Sequence, residues 1–246
     1  MNFYSFPPVA AVLDGAYHLI SALSALLEPF GGTSSAAFAI VLLTIIVRTA
    51  LVPVGIAQVR AEITRRRLAP KLAELQRKYK KNPELLQRKT LELYRQEKAS
   101  PFAGILPALA QAPVLSVLYG LFVLAVIAGH PNALLTEHLF GVSLGSSLFA
   151  VLGSAAAWPQ LLVFVGLLLV IAAVAWMSRR TALRLAPVPA ASAAGALQSV
   201  GAVLSWLPFL TVVFAAVVPL AAAIYLAVTT AWTLGERAIL RRVMVS

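Results

Sequence analysis

The sequence predicts an all-α membrane protein: five transmembrane helices, a cytoplasmic helical hairpin and an N-terminal extracytoplasmic helix lying at the membrane surface. Three observations carry that prediction. Of 246 residues, 60% are hydrophobic and only 12% charged, with a mean hydropathy of +0.87, whereas soluble domains carry about 25% charged residues. The apolar residues gather into runs near the length of a bilayer-spanning helix, about 20 residues. Finally, 19 of the 20 Lys and Arg lie in three segments between or after those runs, which marks those segments as cytoplasmic. The absence of cysteine excludes disulfide frameworks and thiolate chemistry.

Residues 1–35 form the extracytoplasmic start. Within them 9–27 is apolar but holds Asp14 and His18, which favours an amphipathic helix at the interface over a span. Pro29, Gly31 and Gly32 then break the chain before the first span, 36–57. Residues 58–101 change character: 13 Lys/Arg and 5 Glu give a local charge of +8. Leu68, Leu72, Leu75 and Tyr79 recur at helical spacing, with Pro70 expected to kink that arm. Asn82-Pro83-Glu84 supplies an N-cap, a proline at the first helical position and an acid in the first turn. The two arms make a helical hairpin outside the bilayer.

The second span is 102–129, with Pro107 and Pro113 flanking Gln111. A Gly- and Ser-rich loop, 130–157, has no Lys or Arg and falls outside the cell. The third span is 158–178, followed by Arg179, Arg180 and Arg184 in a cytoplasmic loop, 179–198. Pro219 divides the last apolar run into short spans, 199–215 and 219–235, each about 26 Å long at 1.5 Å per residue, which suits a locally thinned bilayer. A basic tail, 236–246, ends the chain. This places the N-terminus outside a plasma membrane crossed five times.

Arg48 interrupts the apolar run that begins at Val41. An arginine in a spanning helix costs roughly 2.5–3.5 kcal/mol on insertion scales, so it needs a wet cavity, a counter-charge or carbonyls around it. Thr44 lies one turn before it and Gly55 two turns after, on the same face. No Asp or Glu falls within a span core, which favours a hydrated groove receiving negative charge from elsewhere over an internal salt bridge. Tyr225, Thr229, Trp232 and Glu236 share a face of the last helix, either as a groove wall or as helix packing with an interfacial anchor. Gln111 either joins that wall or bonds two helices together. At the hairpin tip, Lys78, Lys80 and Lys81 attract anionic lipid or touch another macromolecule. His18, His130 and His138 have no metal-ligand spacing, and no nucleotide or hydrolase motif occurs. No cofactor, metal site or enzymatic activity is expected.

Three blocks resemble the YidC/Oxa/Alb family of membrane protein insertases. The first is TIIVRTALVP, Thr44 to Pro53. The second is LAPKLAELQRKYKKNPE followed by LYRQEKASPFAGILPALAQAPVLSVLYGLF. The third is LPFLTVVFAAVVPLAAAIYLAVTTAW. Together they cover about 44–122 and 207–232. The chain departs from the family pattern in the last two spans, with Ala-Ala after Pro219, Leu226 for the usual tryptophan and Thr229-Thr230 for Ser-Asn. Ile105 stands for the family's cysteine and Ser100 for its asparagine. The large periplasmic domain and long basic tail of some members are not in this sequence, so ribosome contact would fall to the hairpin.

The resemblance implies a groove open to cytoplasm and lipid, closed outside, that receives hydrophilic segments of nascent membrane proteins and releases their helices into lipid. Arg48, Thr44, Gln111, Tyr225 and Thr229 would line it. Ribosome and Sec translocon are candidate partners. Two alternatives stand beside this reading: a small transporter using Arg48 for an anionic solute, and a membrane-anchored adaptor acting through the hairpin.

Overall fold

The computed structural model describes residues 4, 6–100, 102–103, 105–153, 158–184 and 205–245. The end of the 130–157 loop, most of the 179–198 loop and the start of the 199–215 span lie outside the described residues. Nine α-helices are present among the described residues: α1 Pro7–Gly31, α2 Ser35–Ala50, α3 Val52–Lys78, α4 Pro83–Gln96, α5 Ile105–Val123, α6 Leu148–Gly153, α7 Trp158–Arg184, α8 Leu207–Val217 and α9 Leu220–Val245. Between α5 and α6 are two antiparallel hairpins of two-residue strands, β1 Val126–Ile127 with β2 His130–Pro131 and β3 His138–Leu139 with β4 Val142–Ser143. The stretch 7–50 and helix α7 are long and apolar enough to cross a membrane, while Gln111–Val123 and α8 are shorter apolar helices.

The arginine-bearing run is not one helix. α2 stops at Ala50 and α3 starts at Val52, because Pro53 has no N–H to give the carbonyl of Thr49. The Leu51 amide still bonds the Val47 carbonyl at 3.0 Å, and the Leu51 carbonyl accepts from Val54 and Gly55 at 2.9 and 3.1 Å. The chain therefore turns at Leu51, inside the expected span 36–57, and α3 leaves from there. Helical backbone then continues through Pro70 to Lys78. At the next turn Asn82 caps α4, its Oδ1 accepting from the Leu85 amide at 3.0 Å. Glu97 pairs with Arg67 and Lys71, which joins the end of α4 to the middle of α3.

The last helix sits at the centre of the bundle, packed on α2, α3, α5, α7 and α8. Ala221, Ala222 and Ala223 are fully buried; small side chains let helix backbones approach closely where lipid provides no hydrophobic drive. Ile40 and Leu43 of α2, Leu121 and Phe122 of α5 and Phe164 of α7 complete the core. Leu162, Leu169 and Val170 on α7 and Leu210, Val213 and Phe214 on α8 are exposed, as lipid-facing residues are. On α1, Leu13 and Ile20 are buried against the bundle, while Leu26 and Phe30 face outward.

One end of the bundle is closed by the β-hairpin segment. Ala128-Gly129 and Phe140-Gly141 all have positive φ, the primed two-residue turns that match strand twist. Asn132 donates to the carbonyls of Leu121 and Leu124 at 2.8 and 2.9 Å, satisfying groups that the end of α5 leaves open. The amides of Leu220 and Ala221 donate to the carbonyls of Ser146 and Leu144 at 2.8 and 2.9 Å, which does the same for the start of α9. His130 Nε2 meets Asp14 Oδ1 at 2.8 Å, tying α1 to the first hairpin.

At the other end α9 does not stop at 235. The stretch expected as a tail is helical to Val245 and lies on the base of α3. Arg241 donates to both carboxylate oxygens of Glu62 at 2.8 and 2.9 Å, and Arg66 pairs with the same carboxylate. Burial works against the charged form of Glu62, but the Arg241 hydrogen bonds and the charges of Arg241, Arg66 and Arg237 outweigh it and hold the acid below its ordinary range.

Candidate functional site

Arg48 lies in the last turn of α2 and is 8% exposed. Its Nε donates to Thr229 Oγ1 of α9 at 3.3 Å. Among the described residues its two terminal amino groups make no hydrogen bond; they open onto a cavity of about 20 Å³ lined by Arg48, Gly55, Gln58, Gln111, Thr233 and Glu236, among others. A space of that size admits about one water.

The residues expected to line a groove do not all behave alike. Gln111 of α5 accepts from Gln58 Nε2 of α3 at 3.2 Å, so it both joins two helices and lines the cavity. Thr44 is fully buried, and its hydroxyl donates to its own helix at the Ile40 carbonyl, 2.7 Å away; it presents no free polar group. Tyr225 is buried, with its ring 5.7 Å from that of Phe122, and its hydroxyl shares a hydrogen bond with Thr229 within electrostatic reach of Arg48. Thr229 touches Arg48 directly. Lys78, Lys80 and Lys81 are exposed around the turn between α3 and α4, far along the chain from the cavity.

Three polar lining residues were outside the expected groove, Gln58, Thr233 and Arg237, while Glu236 belongs to the face shared by Tyr225, Thr229 and Trp232. Thr233 is one turn after Thr229 and continues a face already identified; Gln58 is ten positions after Arg48, beyond the break at Leu51, so helical spacing from Arg48 does not reach it. Glu236 supplies a carboxylate within electrostatic reach of Arg48, although no Asp or Glu lies in a span core. It reaches there from the continuing helix α9. The two groups form no contact ion pair among the described residues; Glu236 Oε1 and Trp232 Nε1, one turn apart on α9, are both buried and lie close enough to interact, but without well-formed hydrogen-bond geometry.

A helical bundle with lipid-type exposed faces and a buried, half-satisfied arginine defines a membrane protein with a polar site inside it. The family model described as 60Kd inner membrane protein matches residues 27–246. The chain belongs to this family, the YidC/Oxa/Alb group. Among its relatives is a membrane protein insertase YidC of Clostridium perfringens, 36% identical over 115 residues, which are 47% of this chain and 48% of the relative. Another of the same name, from Xanthomonas campestris pv. campestris (strain 8004), is 32% identical over 126 residues, 51% of this chain and 21% of the relative. One from Xylella fastidiosa (strain M12) is 30% identical over a stretch of the same length. The matched stretch is thus about half of the first relative and a fifth of the others. An inner-membrane family with bacterial relatives places this chain in a bacterial membrane.

Proposed function

We propose that this chain is a membrane protein insertase without covalent chemistry: it receives hydrophilic, often acidic, segments of nascent membrane proteins beside Arg48 and releases their helices into lipid. The observation that carries the reading is the arginine itself. It is buried, one of its donors is taken by Thr229, and its two terminal amino groups, without a hydrogen bond among the described residues, face a cavity shared by α2, α3, α5 and α9. A client carboxylate would find there two parallel donors in a medium of low dielectric, where attraction exceeds its value in water. The names of the relatives support the same reading. The client helix then moves out along the exposed apolar faces of α7 and α8, driven by burial of its own apolar surface in lipid.

The accompanying topology has five spans, the N-terminus outside a bacterial plasma membrane, α1 at the interface and the α3–α4 hairpin in the cytoplasm. Lys78, Lys80 and Lys81 at the hairpin tip would meet anionic lipid, ribosome or the client, and a Sec translocon is a further candidate partner. Because the chain has no native cysteine, single cysteines at Phe140 and Lys80, both exposed, should label with an impermeant maleimide from opposite sides. Labelling of both from one side would contradict the topology. The function is tested by site-specific crosslinking from position 48 to nascent membrane proteins during insertion; an absence of client adducts in an active preparation would overturn it.

A further inference from the structure

The groove reading leaves one buried acid unexplained. Glu236 lines the Arg48 cavity from α9, its Oε1 enclosed, with the Trp232 indole one turn away as its only close polar neighbour on that helix and no well-formed hydrogen bond between them. Gly55 makes room for it: the nearest atoms to a Cβ built at position 55 all belong to the Glu236 carboxylate, and they would overlap it. A glycine on α3 and an acid on α9 thus fit together, in a cavity lined by both Arg48 and Arg237. No contact ion pair results, so the acid fills the site without satisfying Arg48. A permanent structural counter-ion would be expected to close on its partner with full hydrogen bonding, because a buried charge pair offsets its desolvation only with good geometry.

We infer that Glu236 is a resident competitor: it holds the Arg48 cavity in the resting protein and must move aside when a client carboxylate enters. The inference rests on the reading of Arg48 as the client site, and it adds selectivity to that site. Clients without an acid have nothing to gain by displacing Glu236. Clients with one must bind strongly enough to displace a group held at high effective concentration on the same chain. A competent state that is only partly populated reduces apparent affinity by that fraction, so removing the competitor should favour acidic clients alone. The small cavity, about 20 Å³, is then the occupied form of a site that widens when α9's carboxylate leaves.

The test uses the full chain in proteoliposomes with two single-span clients that differ only by Asp or Asn in the translocated segment. Glu236→Gln removes the competing charge, and Gly55→Ala keeps the charge but pushes it from the cavity. Both should raise the ratio of Asp-client to Asn-client initial insertion rates by roughly 3- to 10-fold, as expected if the open site is a minor population. In an Arg48→Ala background both effects should vanish. If Glu236→Gln accumulates poorly, Gly55→Ala decides alone, since its Cβ meets only a flexible side chain. An unchanged or lower ratio in both variants, with Arg48→Ala still selectively impaired on the Asp client, would overturn the competitor and leave the groove standing. Equal loss of both clients in Arg48→Ala would overturn both.

Discussion

At the Asn132 end of the bundle most polar groups face one another; at the Glu236 end more of them face a cavity. The Asn132 amide nitrogen closes two carbonyls of α5, although its own Oδ1 is buried without a partner, the Ser146 and Leu144 carbonyls close the start of α9, and Asp14 meets His130. At the other end Arg48 uses one of its donors, Gln111 is held by Gln58, and the Glu236 carboxylate has only the Trp232 indole beside it, without well-formed hydrogen-bond geometry. Satisfied groups fix a structure, whereas buried unsatisfied ones carry a standing free-energy penalty that an incoming group can relieve. On the proposed reading, the difference gives the two ends different work, closure at one and reception at the other.

The largest expected effect breaks the closed end. Asn132→Ala leaves two buried carbonyls without donors, at about 1–3 kcal/mol for each unsatisfied group. Thermal unfolding in detergent should show a clear drop; an unchanged midpoint would mean that the hairpin segment is not what holds α5. Next in size is Glu62→Gln, which weakens the clasp between α3 and α9 by about 1.5–3 kcal/mol, the worth of hydrogen bonds to a charged group. Faster proteolysis at the base of α3 would report it. This clasp also has a pH sign. The folded state holds Glu62 below the ordinary value of 4.5, so its contribution is present above that value and disappears as pH falls through the lower folded one.

Sequence spacing revealed one class of feature in this site and missed another. Arg48, Thr229 and Gln111 could be read from helical periodicity, because an isolated polar residue in an apolar run must find a polar neighbour. Thr44 could not, since a threonine hydroxyl can return to its own helix, and here it donates to the Ile40 carbonyl. Glu236 was assigned to a helix end because the apolar run stops near 235; whether the helix goes on depends on Glu62, 179 residues before Arg241, holding it. Pro53 lies inside the expected span 36–57 and breaks the helix, whereas Pro70, expected to kink its arm, leaves helical backbone running on to Lys78. The β-hairpins were hidden for another reason: two-residue strands are too short to show a period.

The smallest expected effect sharpens the comparison at the closed end. The hydrogen bond to the Asp14 carboxylate, then that to the Pro131 carbonyl, raise His130 above the ordinary value of 6.5. A raised folded-state pKa means the contribution is complete below 6.5 and is lost as pH climbs through the higher value. The link between α1 and the first hairpin should therefore loosen on the alkaline side. His130→Gln should flatten that slope in a pH series of unfolding midpoints, and a slope that persists would assign it to another group.

The most direct test of reception at Arg48 compares insertion of the matched acidic and neutral clients by wild type, Arg48→Lys and Arg48→Ala, with detergent stability measured alongside. A charge offered to a client predicts partial activity for lysine, which keeps the charge but not the fork. It predicts for alanine a loss confined to the acidic client, with stability unchanged or higher because a desolvated arginine has been removed. Equal defects with both clients, together with lost stability in every substitution, would contradict it and make Arg48 a structural charge.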